Sequence, residues 1–277
     1  MKYMTFRNAC AFTGLANLLE DMGINAKDRE IVLGAGLPWL LRYDAEKNAY
    51  LAGTMLQSKA DFDRFLMPRG LQWIETEVDS AALPRALREN GPCMLGIRMW
   101  GGQKHAVVFR SVKDGIYRFL NNRYQDEPEP EFLELSEAQL LSRVDDCVVL
   151  GQLAESGCAD TGAGEVADSL LVLARYHAEL ASYCTRPHSV LELRENMDRL
   201  FSALLLELPT MLELIGQEPL QASLTEIRNG LMQAVRSEGT VLLSDFFSME
   251  ALDAALRDYA ALLRARIADG QKAEDPC

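Results

Sequence analysis

Apolar residues recur at three- and four-residue intervals from Ala9 to Met22, and Gly23 follows as a stop. That spacing predicts an amphipathic helix. Three shorter helices follow the same logic. KDREIVLG runs into the Gly34-Ala35-Gly36 turn, SKADFDRFLMPRG starts behind Ser58 as N-cap and ends at Pro68 and Gly70, and DSAALPRALRENG accommodates Pro84 in its first turn. Elsewhere the apolar period falls to two. LQWIETEV, CMLGIRM, HAVVFRSV, GIYRFLN and DCVVLGQL read as strands, and Lys113-Asp114-Gly115 joins the third and fourth as a hairpin. EPEPE (127–131) reads as an extended acidic loop.

Small residues in AESGCADTGAG then predict a linker at about 154–163. Beyond it the strand signals nearly vanish. Residues 165–184, 189–207, 219–237 and 248–268 carry Leu, Ala, Val and Met at helical spacing, with breaks at Pro187, Pro209, Gly216/Pro219 and Gly239. Only VLLSDFF (241–247) is ambiguous between strand and helix entry. The pattern predicts an α+β domain over 1–153, with its first helix packed on an antiparallel sheet, and an all-α helical bundle over 164–277.

Composition adds exclusions. The chain has 277 residues, 48% apolar and 25% charged, a length and composition for roughly two folded domains with a real core. With 28 basic against 41 acidic residues the net charge is −13, which argues against nucleic-acid or anionic-membrane partners. The excess is uneven: residues 1–153 hold 18 basic and 21 acidic side chains, residues 154–277 hold 10 and 20. No apolar run reaches membrane-spanning length. The N-terminal apolar stretch is broken by Asn8 and Asn17 and lacks a small-residue cleavage site, so the expected address is cytoplasmic. The six cysteines are too sparse for a disulfide scaffold and are expected to be reduced thiols.

One cysteine stands where it could do chemistry. Cys10 opens the first predicted helix just after Asn8, a plausible N-cap, where the helix dipole and unpaired amides lower a thiol pKa. His105 opens the HAVVF strand after WGGQK, and Asn121 ends the strand returning from the hairpin. The hairpin sets these two side by side, an arrangement suited to an imidazole oriented by an amide oxygen and facing a thiolate. Asn122 competes with Asn121, and strand alternation turns the two to opposite faces. Each residue also has an ordinary reading. Cys10 suits a helix core, His105 a strand edge and Asn121 a turn. Trp39 and Trp73 read as packing residues, and Trp100 as a wall of a substrate cleft. His177, Cys184 and His188 fit no metal-binding spacing. No metal and no cofactor are expected.

A cysteine at a helix start near the N-terminus, then HAVVF, a hairpin and Asn at the end of the return strand, resembles the papain-like cysteine fold in its bacteriocin-processing peptidase form. NACAFTGLANLLEDMGI, IVLGAGLPWLLRYD, KHAVVF and FLNN are more similar still to the N-terminal domain of the butirosin biosynthesis protein H family, which is implicated in acyl transfer through a cysteine. The resemblance covers about residues 5–153. It implies a Cys10-His105-Asn121 triad. One position departs from it: papain-like peptidases usually carry Gln about six residues before the cysteine, and here Met4 stands there. Oxyanion donation would then fall to the Cys10 amide with Asn8 or Gln103.

The expected function is acyl transfer, or amide or thioester cleavage, on a peptide, amide or acyl-thioester substrate. The alternative is a catalytically degenerate papain-like module that binds a ligand or protein partner. A third possibility is an assembly protein that forms homo-oligomers through its helical half.

Overall fold

The computed structural model describes residues 1–99, 102–156 and 165–274. In chain order its main elements are α1 (Cys10–Asp21), α2 (Asp28–Gly34), β1 (Leu41–Asp44), β2 (Ala49–Ala52), α3 (Lys59–Leu66), β3 (Leu71–Asp79), α4 (Leu83–Asn90), β4 (Cys93–Arg98), β5 (Lys104–Lys113), β6 (Ile116–Asn121), β7 (Phe132–Ser136), α5 (Glu137–Leu141) and β8 (Cys147–Glu155). There follow α6 (Glu165–Cys184), β9 (His188–Ser189), α7 (Val190–Glu195), α8 (Leu208–Leu214), α9 (Glu218–Arg236), β10 (Thr240–Val241) and α10 (Met249–Glu274). The molecule is mixed α/β. No helix among the described residues is long and apolar enough to cross a membrane.

The chain divides into two compact units, Met1–Ala35 with Gln57–Asp160, and Gly36–Leu56 with Thr161–Cys277. The first is built on a six-stranded antiparallel sheet ordered β3-β8-β4-β5-β6-β7. Strand alternation gives the sheet two apolar faces. On one, Cys93, Leu95, Ile97, Val107, Phe109, Phe119, Leu133, Val148 and Leu150 are buried beneath Leu83 and Leu87 of α4 and Leu140 of α5. On the other lies α1, whose Phe12, Leu15, Ala16 and Leu19 are fully buried. That contact is close. A Cβ on Gly14 would lie 2.5 Å from Met94 Sδ of β4 and 2.7 Å from Asn122 Nδ2.

The hairpin between β5 and β6 turns through Asp114 (φ 52°) and Gly115 (φ 75°), the left-handed pair that matches strand twist. The pairs nearest the turn are Lys113–Ile116, Val112–Tyr117 and Ser111–Arg118; beyond a bulge at Arg110 they become Phe109–Phe119, Val108–Leu120 and Val107–Asn121. The Arg110 guanidinium reaches α1, pairing with Asp21 and donating to the Asn17 carbonyl at 3.4 Å. Strand β7, which periodicity over FLELS was too short to reveal, completes the sheet beside β6.

The second unit is helical but not wholly so. Helix α10 packs with α6 and α9, while the β1–β2 hairpin and the two-residue β9–β10 pair add strands. Residues 36–56 lie within the expected N-terminal domain, 1–153. In the structure they group with the helices because their apolar side chains find burial there: Tyr50 is 1% exposed and its ring lies 4.4 Å from that of Tyr176, and Thr54 donates its amide to buried Glu207 at 3.0 Å. The helix expected over 189–207 is instead α7 followed by a π-helical stretch, Met197–Glu207. Pro209, second residue of α8, has no N–H to continue the regular ladder, and the Tyr176 hydroxyl donates to the Leu200 carbonyl. VLLSDFF becomes the end of β10 and a single 3-10 turn, Leu243–Asp245. Of the predicted linker, 154 and 155 continue β8 and residues 157–164 lie outside the described residues.

Gly151 in β8 accepts the Trp73 indole directly, since a Cβ there would meet ring carbon Cζ2 at 1.8 Å. Gly151→Ala is therefore expected to destabilise the fold by about 1–3 kcal/mol through overpacking, read as a lowered urea midpoint. An unchanged midpoint would mean that the indole is free to leave this strand.

Candidate active site

Cys10 is the first residue of α1. Asn8 takes a left-handed conformation, φ 60°, which asparagine tolerates better than most residues. The expectation that Asn8 caps the helix is corrected: Ala9 holds the N-cap position with no side-chain cap, and Asn8 borders the cavity beside Cys10. The first amides of a helix lack carbonyl partners within it. Here the Ala11 amide donates to the Cys10 sulfur, as does the Ala106 amide of β5.

The segment ahead of Cys10 is tied down by backbone and buried polar groups. The Lys2 amide donates to Asn17 Oδ1 at 2.7 Å and the Met4 amide to the Arg123 carbonyl at 2.9 Å. The Thr5 amide and hydroxyl both donate to the fully buried Asp28 carboxylate, each at 2.7 Å. Met4 thus contributes a main-chain contact, and its thioether has no proton to give an oxyanion.

His105, second residue of β5, hydrogen-bonds the Cys10 sulfur with one ring nitrogen. Its Nε2 lies 2.9 Å from Asn121 Oδ1. The buried Asn121 carboxamide can turn only one way: its Nδ2 donates to the Pro130 carbonyl at 3.0 Å and lies 3.5 Å from Glu129 Oε2. Oδ1 therefore accepts from Nε2–H, and Nδ1 remains for the sulfur. Arg123 stiffens the loop behind this contact by donating to the carbonyls of Tyr124, Gln125 and Glu127 at 2.7, 3.1 and 2.8 Å.

Burial works to raise the Cys10 pKa, but the hydrogen bond and charge of His105 and the Ala106 and Ala11 amides outweigh it and hold the thiol below its ordinary value. Burial likewise works to lower the His105 pKa and is outweighed by Cys10, Asn121 and Glu129, so the imidazole is raised. Both directions favour a thiolate–imidazolium pair. Cys93 and Cys184, buried without such partners, are pushed up to about 12.

Asn122 faces the other way and does different work. Its Nδ2 donates to the Ala106 carbonyl at 2.9 Å and its Oδ1 accepts from Asn17 of α1 at 3.2 Å. It joins the helix that carries Cys10 to the strand that carries His105.

Beside the sulfur opens a cavity of about 380 Å³. Asn8, Cys10, Gln57, Glu75, Lys104 and His105 contribute its polar lining, and Phe62, Trp73, Met94 and Val149 its apolar lining. Gln103, expected as an oxyanion donor, does not line it; its carbonyl accepts the Met99 amide at 2.9 Å. Trp100 lies outside the described residues. Trp73, read as packing alone, is both buried and part of the cavity wall. Gln57 was missed, since nothing in its spacing links it to Cys10. The strand-interior glycines Gly96 and Gly151 were a usable signal of open space or close approach. Far along the chain, His177 pairs with Asp253 at 2.9 Å and buried His188 lies between the Tyr183 carbonyl (2.7 Å) and Glu192 (2.9 Å). Among the described residues no group of three or more His, Cys, Asp or Glu is placed to hold a metal ion.

No protein-family model and no curated protein sequence matches the chain. Among solved structures it is similar to the peptidase domain of Streptococcus ComA, described as a bi-functional ABC transporter involved in a quorum-sensing pathway. The identity is 10% and the TM-score 0.42, over 56% of this chain and 97% of that one.

The two asparagines should separate cleanly. In the unaltered protein, iodoacetamide should alkylate Cys10 rapidly below the ordinary thiol range of about 8.5. Asn121→Ala should move that pH profile upward, because an unheld imidazole stabilises the thiolate less. Asn122→Ala should leave the profile in place and cost about 1–3 kcal/mol in urea unfolding, because its buried partners go unsatisfied. Equal effects on both readouts would contradict the assignment.

Proposed function

We propose that the chain is a cysteine-nucleophile enzyme that cleaves or transfers an acyl group, with Cys10 as nucleophile, His105 as acid and base, and Asn121 as the residue orienting the imidazole. The observation that carries this reading is the hydrogen bond between the Cys10 sulfur and His105, whose far nitrogen is held by Asn121, at the mouth of a cavity. The unpaired reading of Cys10 as a core residue has no use for three donors on one sulfur.

The chemistry follows from those groups. The Cys10 thiolate bonds to the carbonyl carbon of an amide or thioester, and the carbonyl electron pair moves onto oxygen. The Cys10 main-chain N–H, at the helix start, is one donor to that oxyanion; Gln57 and Asn8 at the cavity border are the side-chain candidates that would make up for Met4. As the tetrahedral centre collapses, the bond to the leaving amine or thiolate breaks and His105 supplies its proton. The same imidazole then takes a proton from water or an acceptor amine, which displaces Cys10 from the acyl-enzyme. A thioester demands least of the oxyanion site, because its leaving thiolate is a better leaving group than an amine.

Intact-mass trapping with a panel of thioesters and peptides tests the reading. An acyl adduct is expected on the unaltered chain and none at that site in Cys10→Ala, while His105→Ala should slow its formation by about 10²–10⁴. A chain that binds members of the panel without ever acquiring the adduct would instead be the binding module.

A further inference from the structure

Across β4 and β5, Gly96 lies opposite Ala106, the residue whose amide reaches the Cys10 sulfur. Across β4 and β8, Met94 lies opposite Gly151. Gly151 in turn lies opposite Glu75 of β3. Alternation puts Met94, Gly96, Ala106, Gly151 and Glu75 on one face of the sheet, the face that carries α1, and all five line the cavity. Between Met94 and Glu75, the floor beside the nucleophile therefore consists of three positions with little or no side chain, Gly96, Ala106 and Gly151. The two glycines differ in what fills the space above them. A Cβ on Gly151 would strike Trp73, whereas a Cβ on Gly96 would meet nothing within 4 Å. Gly96 has neither a positive φ nor a close neighbour to require glycine, so the trough above it is empty for a reason other than backbone geometry.

The wall on the Trp73 side is apolar and ordered, while Gln57, Glu75 and Lys104 contribute polar groups to the lining. Trp73 packs against Phe62 with ring centroids 4.9 Å apart and planes tilted by 50°, and Phe62 against Phe12 at 5.6 Å and 56°. The Trp73 indole N–H is already satisfied by Glu75 at 3.1 Å, so the ring presents carbon. Val149, 45% exposed, stands at the opposite side of Gly151 along β8. Apolar surface left open in this way gains by being covered.

We infer that this trough is the acyl-binding subsite of the Cys10 centre, that its ligand is a bulky apolar acyl group of aromatic-ring size, and that Gly96 determines that size. The inference rests on the proposed nucleophilic role of Cys10. A volume of about 380 Å³ is within the range of small-molecule sites and corresponds to roughly a dozen water volumes at ~30 Å³ each. An acetyl group would leave it wet; a phenyl ring would displace that water and lie against Trp73.

The test compares acetyl and phenylacetyl thioesters of N-acetylcysteamine on the full chain, with adduct formation at Cys10 followed by intact mass and iodoacetamide alkylation as a size-indifferent control. The unaltered chain should form the phenylacetyl adduct faster by roughly 10–200-fold, the discrimination an apolar pocket supplies. Gly96→Val, whose β-branched side chain suits a strand, should erase most of that preference, read as the ratio of phenylacetyl to acetyl adduct rates, with iodoacetamide alkylation reporting separately on the thiolate. Gly96→Ala adds a single methyl to the same space and should act in the same direction, which keeps the test valid if the valine variant does not fold. Ordinary alkylation of Cys10 with no preference for the larger acyl group, or a preference indifferent to both substitutions, would overturn the subsite while sparing the nucleophile. A Cys10 that neither thioesters nor iodoacetamide modify would overturn both.

Discussion

The imidazole of His105 is held by Asn121 because of one irregularity in a strand pair. The two-residue turn at Asp114-Gly115 starts a register that, continued without interruption, would set Val107 opposite Asn122. The bulge at Arg110 shifts the pairing by one residue, so that Asn121 takes that place. A one-residue slip exchanges the two faces of a strand. With it, Asn121 shares a side with His105 and hydrogen-bonds its ring, while Asn122 turns toward α1 and hydrogen-bonds Asn17. Arg110 is itself anchored to α1 through Asp21 and the Asn17 carbonyl. The helix that begins with Cys10 therefore grips the bulge that positions the residue holding His105.

This dependence explains which parts of the site were legible in the sequence. Cys10 and His105 lie at the start of a helix and of a strand, and such boundaries can be read from periodicity and glycine placement. The choice between Asn121 and Asn122 could not be read, because it turns on a bulge whose Arg110 is held by an ion pair with a residue 89 positions away in sequence. The hairpin itself was visible in Asp114-Gly115, since that dipeptide has a local conformational preference. Asn8 was misplaced by one position for a related reason. Asparagine favours both N-caps and the left-handed region, and composition alone does not say which preference the fold uses.

The same distinction between local and tertiary causes holds for the architecture. The helices over 165–184 and 219–237 were legible because their apolar spacing continues for five turns. Residues 36–56 carry a hairpin that the reading passed over, although Asp44 accepts the Glu46 and Lys47 amides at 3.0 Å each and Asn48 adopts φ 49°, a recognisable turn. Their membership of the helical unit was not legible at all. It depends on Tyr50 meeting Tyr176 and on Thr54 meeting Glu207, contacts between segments more than 100 residues apart.

What the sheet does not carry matters as much as what it does. Backbone amides supply part of the environment of the Cys10 sulfur, so Ala106 can assist there without a functional side chain of its own. That frees the face around Ala106 to be bare, and Gly96 extends the bareness onto the neighbouring strand, while the Trp73 indole covers Gly151 beyond it. On the proposed function, reactivity and selectivity thus rest on separate atoms of the same strands: N–H groups and His105 act on the sulfur, and the missing Cβ of Gly96 shapes the space beside it. On the same proposal, a side chain at Gly96 enters open space and changes which acyl group fits, whereas one at Gly151 cannot, because Trp73 already occupies the space it would need.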